Sequence, residues 1–114
     1  MYNTQNGWTK ERMKQEIQEK MLGHCSVDDE GDCVYRAPDG NRCAVGVFLP
    51  DAAYRETMET LLVSDFYSDI HMYMPLGLEG MYELQDRHDG LVRNEYDPRP
   101  ALLAWIDKNV QDAA

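Results

Sequence analysis

The chain has 114 residues, the length of one domain, and 43% of them are apolar, which is enough for one hydrophobic core. Eleven basic residues against 21 acidic ones give a formal net charge of −10, which argues against direct binding of nucleic acid or of an anionic membrane. The longest apolar run, residues 44–50, is too short to cross a bilayer, and the N-terminus lacks the pattern of a secretory signal. We therefore expect a single cytoplasmic domain over residues 1–114 that needs no cofactor.

The N-terminal quarter predicts one helix. Residues 1–8 are mostly polar and are expected to be loose. Thr9 is a good N-cap, and the apolar spacing after it predicts a helix over residues 10–22 that ends at Gly23. The predicted buried face consists of Met13, Ile17 and Met21.

The segment 33–45 predicts a β-hairpin. Residues 37–41 read Ala-Pro-Asp-Gly-Asn, with proline and glycine placed as in a type I turn that is followed by a left-handed glycine. In the resulting register Arg36 lies opposite Arg42. The face that we expect to be buried contains Cys33, Tyr35, Cys43, Val45 and Val47, with Cys33 opposite Val45.

The remaining chain predicts further helices. Asp51 follows Pro50 and can cap one helix, Ser64 and Asp65 can cap a short second one, and residues 97–100 lead into the last. The apolar positions are Tyr54, Met58, Leu61 and Leu62, then Phe66, Ile70 and Tyr73, then Leu78, Met81, Leu84, His88 and Leu91, and finally Leu102, Leu103, Trp105, Ile106 and Val110. The predicted fold class is α+β, mostly α, with one β-hairpin packed against four or five helices.

The cysteines leave a metal site as an open alternative. Cys33 and Cys43 share the predicted hairpin face, and tetrahedral zinc binds convergent thiolates and imidazoles. The other ligands would come from Cys25, His24, His71 or His88. Three cysteines without a C-x-x-C pair fit neither a disulfide framework nor the closely spaced ligands of small zinc sites. Free, partly buried thiols and no bound metal are therefore the favoured interpretation.

An acidic run lies between the first helix and the hairpin. It contains Asp28, Asp29, Glu30 and Asp32, with Gly31 between the last two. An EF-hand calcium loop has its glycine at position six, whereas Gly31 falls at position four. We interpret the run as a solvated loop whose carboxylates can contact a partner.

Two further constellations have a functional and a structural interpretation. His88 precedes Asp89 and could act as a general base, but no nucleophile motif accompanies it, so a hydrogen-bonded core histidine is favoured.

Arg36 opposite Arg42 is a like-charge pair that costs about 0.2–1 kcal/mol unless something neutralises it. The neutralising group is either one of the chain's own acids, such as Asp39 or the 28–32 loop, or an anionic ligand held by the two guanidinium groups. On so acidic a chain the internal acid is favoured.

The residues from Cys33 to Tyr54 resemble a segment of short uncharacterised bacterial and phage proteins. The shared pattern is C-x-Y-R-x-P-x-G-x-x-C-A-x-G-x-x-x-P-D-x-x-Y, with Met58-Glu59 soon after it and L-Q-x-x-H-D at residues 84–89. The chain departs from this pattern at Thr60, where those proteins have glycine. The resemblance implies a bacterial or phage origin and brings no activity with it.

These observations lead to a functional hypothesis and two alternatives. We expect a non-enzymatic binding or inhibitor protein of phage or mobile-element origin. Its acidic surface, including Asp28, Asp29, Glu30 and Asp32, would imitate nucleic acid and occupy a basic surface of a host or defence protein. The first alternative is a protein that binds a small anionic, nucleotide-type ligand through Arg36 and Arg42. The second is a small enzyme that uses Cys43 or His88.

Overall fold

Helices form most of the ordered structure. The computed structural model describes residues 1–113, and within this range the chain has five α-helices, two short 3₁₀ segments and one two-stranded sheet. The α-helices are α1 (Lys10–Lys20), α2 (Ala44–Phe48), α3 (Val63–Ile70), α4 (Leu78–Arg93) and α5 (Arg99–Asn109). The strands are β1 (Tyr2–Asn3) and β2 (Val110–Gln111), and the 3₁₀ segments are Glu56–Thr60 and His71–Tyr73. The expectation of a mostly α fold is confirmed.

The sheet joins the two ends of the chain and is not a hairpin. β1 pairs in parallel with β2, with Tyr2 opposite Val110 and Asn3 opposite Gln111. The Thr4 N–H extends the pairing by donating to the Gln111 carbonyl at 3.0 Å. The N-terminal residues, which we expect from the sequence to be loose, are therefore hydrogen-bonded to the segment after α5. No local pattern predicts this, because the partners lie more than 100 residues apart in the chain.

The predicted hairpin is reduced to its turn. The turn forms as expected, since the Ala37 N–H donates to the Asn41 carbonyl at 2.9 Å and Arg36 bridges to Arg42 in antiparallel fashion. The predicted second strand is wrong, because α2 begins at Ala44. Cys33 consequently bridges to Val27 rather than to Val45.

Residues 43–49 comprise α2 and the residue that caps it at each end. All seven are buried, so no alternation of apolar and polar residues exists to fix a one-sided strand. The helix also lies directly on the turn, because a Cβ on Gly46 would be 2.0 Å from the Tyr35 carbonyl oxygen. Only a residue without a side chain permits this approach.

The other predicted helices are confirmed in part. Thr9 caps α1 by accepting from the Arg12 N–H at 3.2 Å, and α1 ends at Lys20 with its predicted face buried. The helix expected after Asp51 is replaced by turns and the 3₁₀ segment Glu56–Thr60. Helix α3 begins at Val63, one residue before the predicted cap, and the Leu62 N–H donates to the Asp65 carboxylate at 3.0 Å. Helices α4 and α5 lie where the sequence places them.

The core lies where the five helices pack on one another. α1 packs on α5 and α2, while α4 packs on α2, α3 and α5. Among residues 1–113, no helix is long and apolar enough to cross a membrane. The fully buried large side chains are Met13, Ile17, Met21, Leu49, Ile70, Met74, Leu76, Met81, Leu84, His88, Leu102 and Ile106.

The close approach at Gly46 generates a stability prediction. Gly46→Ala should lower the free energy of unfolding by about 1–3 kcal/mol, because the new methyl group overlaps a backbone oxygen. The matched control is Gly90→Ala in α4, where the nearest atom would be 3.9 Å away and alanine should stabilise the helix by about 0.5–1 kcal/mol. Urea denaturation of the three proteins measures both effects. Equal stability of the Gly46→Ala variant and the wild type would contradict the packing described.

Candidate functional site

A cavity of about 220 Å³ opens between α4 and the two loop segments 25–35 and 59–63. We call it the α4 cavity. Its walls bring together side chains that are far apart in the sequence. They are Cys25, Ser26, Cys33, Val34, Tyr35, Cys43, Glu59, Leu61, Leu62, Val63, Tyr82, Gln85, Asp86, His88 and Asp89.

The α4 wall is organised by Gln85. Its side-chain carbonyl accepts from the Val45 N–H at 2.9 Å, which satisfies an otherwise free amide in the first turn of α2. Its NH₂ group donates to Asp89 Oδ1 at 2.8 Å, one helical turn further along. Gln85 thus fixes the Asp89 carboxylate against α2.

His88 is buried on this wall with one nitrogen unpartnered. The side chain is 2% exposed, and its Nδ1 lies 3.1 Å from Asp89 Oδ1. Because an ionised carboxylate only accepts hydrogen bonds, Nδ1 is the nitrogen that donates in this contact. The buried Nε2 has no hydrogen-bond partner among the described residues.

Three thiols also line the cavity. Cys25 Sγ and Cys33 Sγ are 3.4 Å apart, and Cys43 is buried. Burial raises the pKa of Cys25 to about 11, with the neighbouring Cys33 as a second cause, and burial raises the pKa of Cys43 to about 12. Both thiols therefore keep their protons at neutral pH. A protonated thiol is a poor nucleophile, so the geometry does not favour Cys43 as a catalytic residue.

Glu59 holds the third wall in place. Its carboxylate accepts from the backbone N–H of Tyr35 at 2.6 Å, from that of Arg36 at 3.3 Å, and from the Tyr54 hydroxyl at 2.6 Å. The Tyr35 hydroxyl in turn donates to the Leu61 carbonyl at 2.6 Å. The sequence gives Glu59 no predicted role, and its only signal is its place in the Met58-Glu59 pair of the resemblance.

The possible metal ligands gather only in part. Cys25, Cys33, Cys43 and His88 line the same cavity, as the zinc alternative requires. His24 instead contacts Asp39 at 3.1 Å, and His71 lies at the end of α3, so neither reaches the thiols. In the part of the chain that the structure describes, no group of three or more His, Cys, Asp or Glu side chains is placed to hold a metal ion.

The acidic loop uses one of its four carboxylates internally. Asp28 Oδ1 accepts from the backbone N–H groups of Glu30 and Asp32, each at 2.9 Å, and Gly31 turns the chain with a φ of 83°. Asp29, Glu30 and Asp32 are exposed. Since Cys25 and Cys33 flank this loop and both line the α4 cavity, the loop lies beside the cavity mouth.

Asp51 neutralises the paired arginines. Arg36 Nη1 contacts Asp51 Oδ1 at 2.7 Å and Arg42 Nη2 contacts the same oxygen at 3.7 Å, which agrees with an internal acid as the neutralising group. Arg36 Nη2 also donates to the Leu49 carbonyl, and its guanidinium lies 4.7 Å from the Tyr54 ring centre. Both outer nitrogens of Arg36 are therefore occupied.

A second, more open hollow adjoins the α4 cavity and shares Tyr82 and Asp86 with it. Among the described residues, neither hollow is lined by a lysine or an arginine. We use the name acidic face for the carboxylates of the two hollows and the exposed carboxylates of the loop, together with the exposed apolar side chains between them. The carboxylates are Asp29, Glu30, Asp32, Glu59, Glu79, Glu83, Asp86 and Asp89, and the apolar side chains are Leu61, Leu62, Leu78 and Tyr82.

No protein-family model matches the chain, and no match was found among the curated proteins or among the solved structures.

The buried thiol of Cys43 predicts a loss of stability at alkaline pH. Its folded pKa of about 12 lies above the ordinary value of 9.0, so the unfolded state releases this proton first and is favoured as the pH rises from about 9 to about 12. The contribution is fully present below pH 9, and its slope is at most about 1.4 kcal/mol per pH unit. Cys43→Ala should show a shallower decline in urea denaturation across this range. Identical slopes in the Cys43→Ala variant and the wild type would contradict the prediction.

The contact between Cys25 and Cys33 predicts selective disulfide formation. A diazenedicarboxamide oxidant accepts two hydrogen atoms from the two thiols, so one sulfur–sulfur bond forms within the chain and the oxidant becomes a hydrazine. Mass spectrometry of the digested protein should find residues 25 and 33 joined and Cys43 unmodified. Dimers, or bonds that involve Cys43, would show that the 3.4 Å contact does not control the reaction.

Proposed function

We propose that the chain is a non-enzymatic binding protein whose acidic face occupies a basic, nucleic-acid-binding surface of another protein. The observation that carries this proposal is the pair of adjoining hollows, which no lysine or arginine lines within residues 1–113. Of the five carboxylates that line them, Glu59 and Glu83 have internal partners, and Glu79, Asp86 and Asp89 form no ion pair with a lysine or arginine among these residues. Following the expected phage or mobile-element origin, the partner is a host or defence protein that normally contacts nucleic acid.

The composition of the face supports a protein partner. Leu62 is 65% exposed, Tyr82 52%, Leu61 42% and Leu78 39%, and these side chains lie among the carboxylates. Apolar and aromatic side chains surrounded by polar groups are typical of interfaces between proteins. A free polycation would use the carboxylates alone and leave this apolar surface in water.

The charge supports a basic partner. A net charge of −10 attracts cationic surfaces over long distances, and the local excess of acid at the hollows orients the encounter. Several acids have a cation beside them, such as Glu16 with Lys20 and Asp97 with Arg99, and within the acidic face Glu83 lies 3.6 Å from Arg87. Asp86 and Glu79 form no ion pair among the described residues, so both are free to bind.

The anionic-ligand alternative is less well supported. A phosphate on Arg36 and Arg42 would have to displace Asp51 and the Leu49 carbonyl from the two guanidinium groups. We therefore do not propose it as the function.

A competition experiment tests the proposed function. The probe is an amphipathic, arginine-rich helical peptide bound to a fluorescein-labelled DNA duplex. The wild-type chain should release the duplex at 50 mM salt, as measured by fluorescence anisotropy, and should do so at least tenfold less efficiently at 300 mM salt, because charge-led association is screened.

Two charge reversals locate the surface that competes. Asp86 lines both hollows, so the Asp86→Lys variant should compete with the duplex at least fivefold less efficiently than the wild type. Glu19→Lys on α1 changes the net charge by the same amount, lines neither hollow and should behave as the wild type. Equal loss in both variants would mean that total charge alone drives the release, and the assignment to the acidic face would be wrong.

A further inference from the structure

Cys25 and Cys33 lie side by side where the acidic loop begins and ends. Their Sγ atoms are 3.4 Å apart, although seven residues separate them in the chain. Backbone contacts between the two arms of the loop bring them together, since Cys33 bridges to Val27 in antiparallel fashion and the Val34 N–H donates to the Ser26 carbonyl at 2.9 Å. Residues two apart on one arm share a face, so Cys25 lies on the same face as Val27 and its partner Cys33. The two thiols are therefore paired by the local backbone.

The two thiols differ in how readily they react. Cys33 is exposed and Cys25 is partly buried. Burial, with the neighbouring Cys33 as a second cause, raises the pKa of Cys25 to about 11. The thiolate is the nucleophile in disulfide exchange, and a reagent from solution must also reach it. Cys33 is thus placed to react first, and Cys25 is placed to react with a sulfur that has become bonded to Cys33.

We propose that Cys25 and Cys33 are a redox modification site, at which a low-molecular-weight disulfide closes an intrachain disulfide bond across the acidic loop. The Cys33 thiolate attacks one sulfur of the reagent, the sulfur–sulfur bond of the reagent breaks, and one thiol leaves with the proton that Cys33 gave up. The Cys25 thiolate then attacks Cys33 Sγ and releases the second thiol in the same way. The two protein thiols lose two electrons and two protons, the reagent becomes two thiols, and an excess of thiol reverses both steps.

The second step depends on the contact between the two sulfurs. Cys25 is mostly protonated at neutral pH, so few of its molecules carry a thiolate at any moment. Both sulfurs are held in one chain at contact distance, however, and such a step proceeds as if its partner were very concentrated. Cys43 is buried and stays outside the exchange.

The bond fixes the acidic loop at the mouth of the α4 cavity. In the dithiol form, Asp28 Oδ1 accepts from the N–H groups of Glu30 and Asp32, and the Asp28 N–H donates to the Asp32 carbonyl. Exposed turns with few buried contacts open locally at low free-energy cost. A covalent bond between residues 25 and 33 joins the two ends of the loop and limits this opening. Oxidation therefore restricts the movement of the exposed carboxylates without changing their charge.

The modification is independent of the proposed function. It depends on the two sulfurs and on the backbone of the loop, and a binding partner supplies neither. A failure of the duplex competition therefore leaves it standing, and a failure of the exchange reaction leaves the proposed function standing.

The first test identifies the thiol that reacts first. The probe is 2-hydroxyethyl disulfide, which is uncharged, so the carboxylates of the loop do not repel it. At neutral pH the Cys25→Ser variant should carry one adduct of the reagent on Cys33. The matched Cys33→Ser variant should form an adduct on Cys25 at least tenfold more slowly. Mass spectrometry of the intact and the digested proteins measures both rates.

The wild type should close the bond. Its final product should be a monomer without the reagent, with residues 25 and 33 joined and with Cys43 unmodified. Equal rates of adduct formation in the two variants would overturn the assigned order of attack. A wild type that keeps the adduct on Cys33 would overturn the proposal, and this result needs no substitution.

The second test measures the loop. A glutamate-specific protease can cut after Glu30 in the acidic loop and after Glu95, which is exposed in the turn that follows α4. The disulfide form should be cut at Glu30 at least fivefold more slowly than the dithiol form, with equal rates at Glu95. Excess dithiothreitol should restore the faster cutting at Glu30. Equal cutting at Glu30 in both forms, or the same slowing at both sites, would overturn the closure of the loop.

Discussion

The backbone of α2 lies against the Tyr35 carbonyl, and the rest of the site depends on this contact. The absence of a side chain at Gly46 permits it, and it brings the first turn of α2 beside α4. There the Val45 N–H binds Gln85, Gln85 holds Asp89, and Asp89 accepts from His88 Nδ1. Each contact in this series satisfies a polar group of the residue before it, and His88 Nε2, at the end of the series, has no partner among the described residues. The unpartnered state of His88 Nε2 among the described residues is thus linked to the packing of α2 against α4.

Local patterns predict the helices with one buried face and fail where burial is complete. Helix α1 is recognisable from Thr9 and the spacing of Met13 and Ile17 because its outer face is polar. The segment that becomes α2 is buried on all sides, so its sequence is compatible with a strand or a helix, and local periodicity does not decide between them. The turn at residues 37–41 is predicted correctly, together with Arg36 opposite Arg42, because proline and glycine specify it locally.

The sequence predicts several residues of the candidate site but not the cavity that brings them together. The sequence singles out the cysteines, His88 and the acidic loop, but it does not indicate that they surround one cavity. Glu59 is missed because its partners are backbone amides of Tyr35 and Arg36, which any residues at those positions would provide. Tyr82 and Asp86 are missed because exposed residues of an amphipathic helix normally face water, and only the folded α3–α4 surface shows that they border a hollow.

The acidic residues divide into two groups with different physical consequences. Asp51 and Glu59 are consumed by internal arginine and backbone partners, so they stabilise the fold and contribute little to binding. The exposed carboxylates of the acidic face attract a cation from solution, but exposed charges are screened by salt and do not distinguish one cation from another. In the proposed function, the exposed carboxylates would therefore supply the rate and the salt dependence of association, whereas Asp51 and Glu59 hold the fold together.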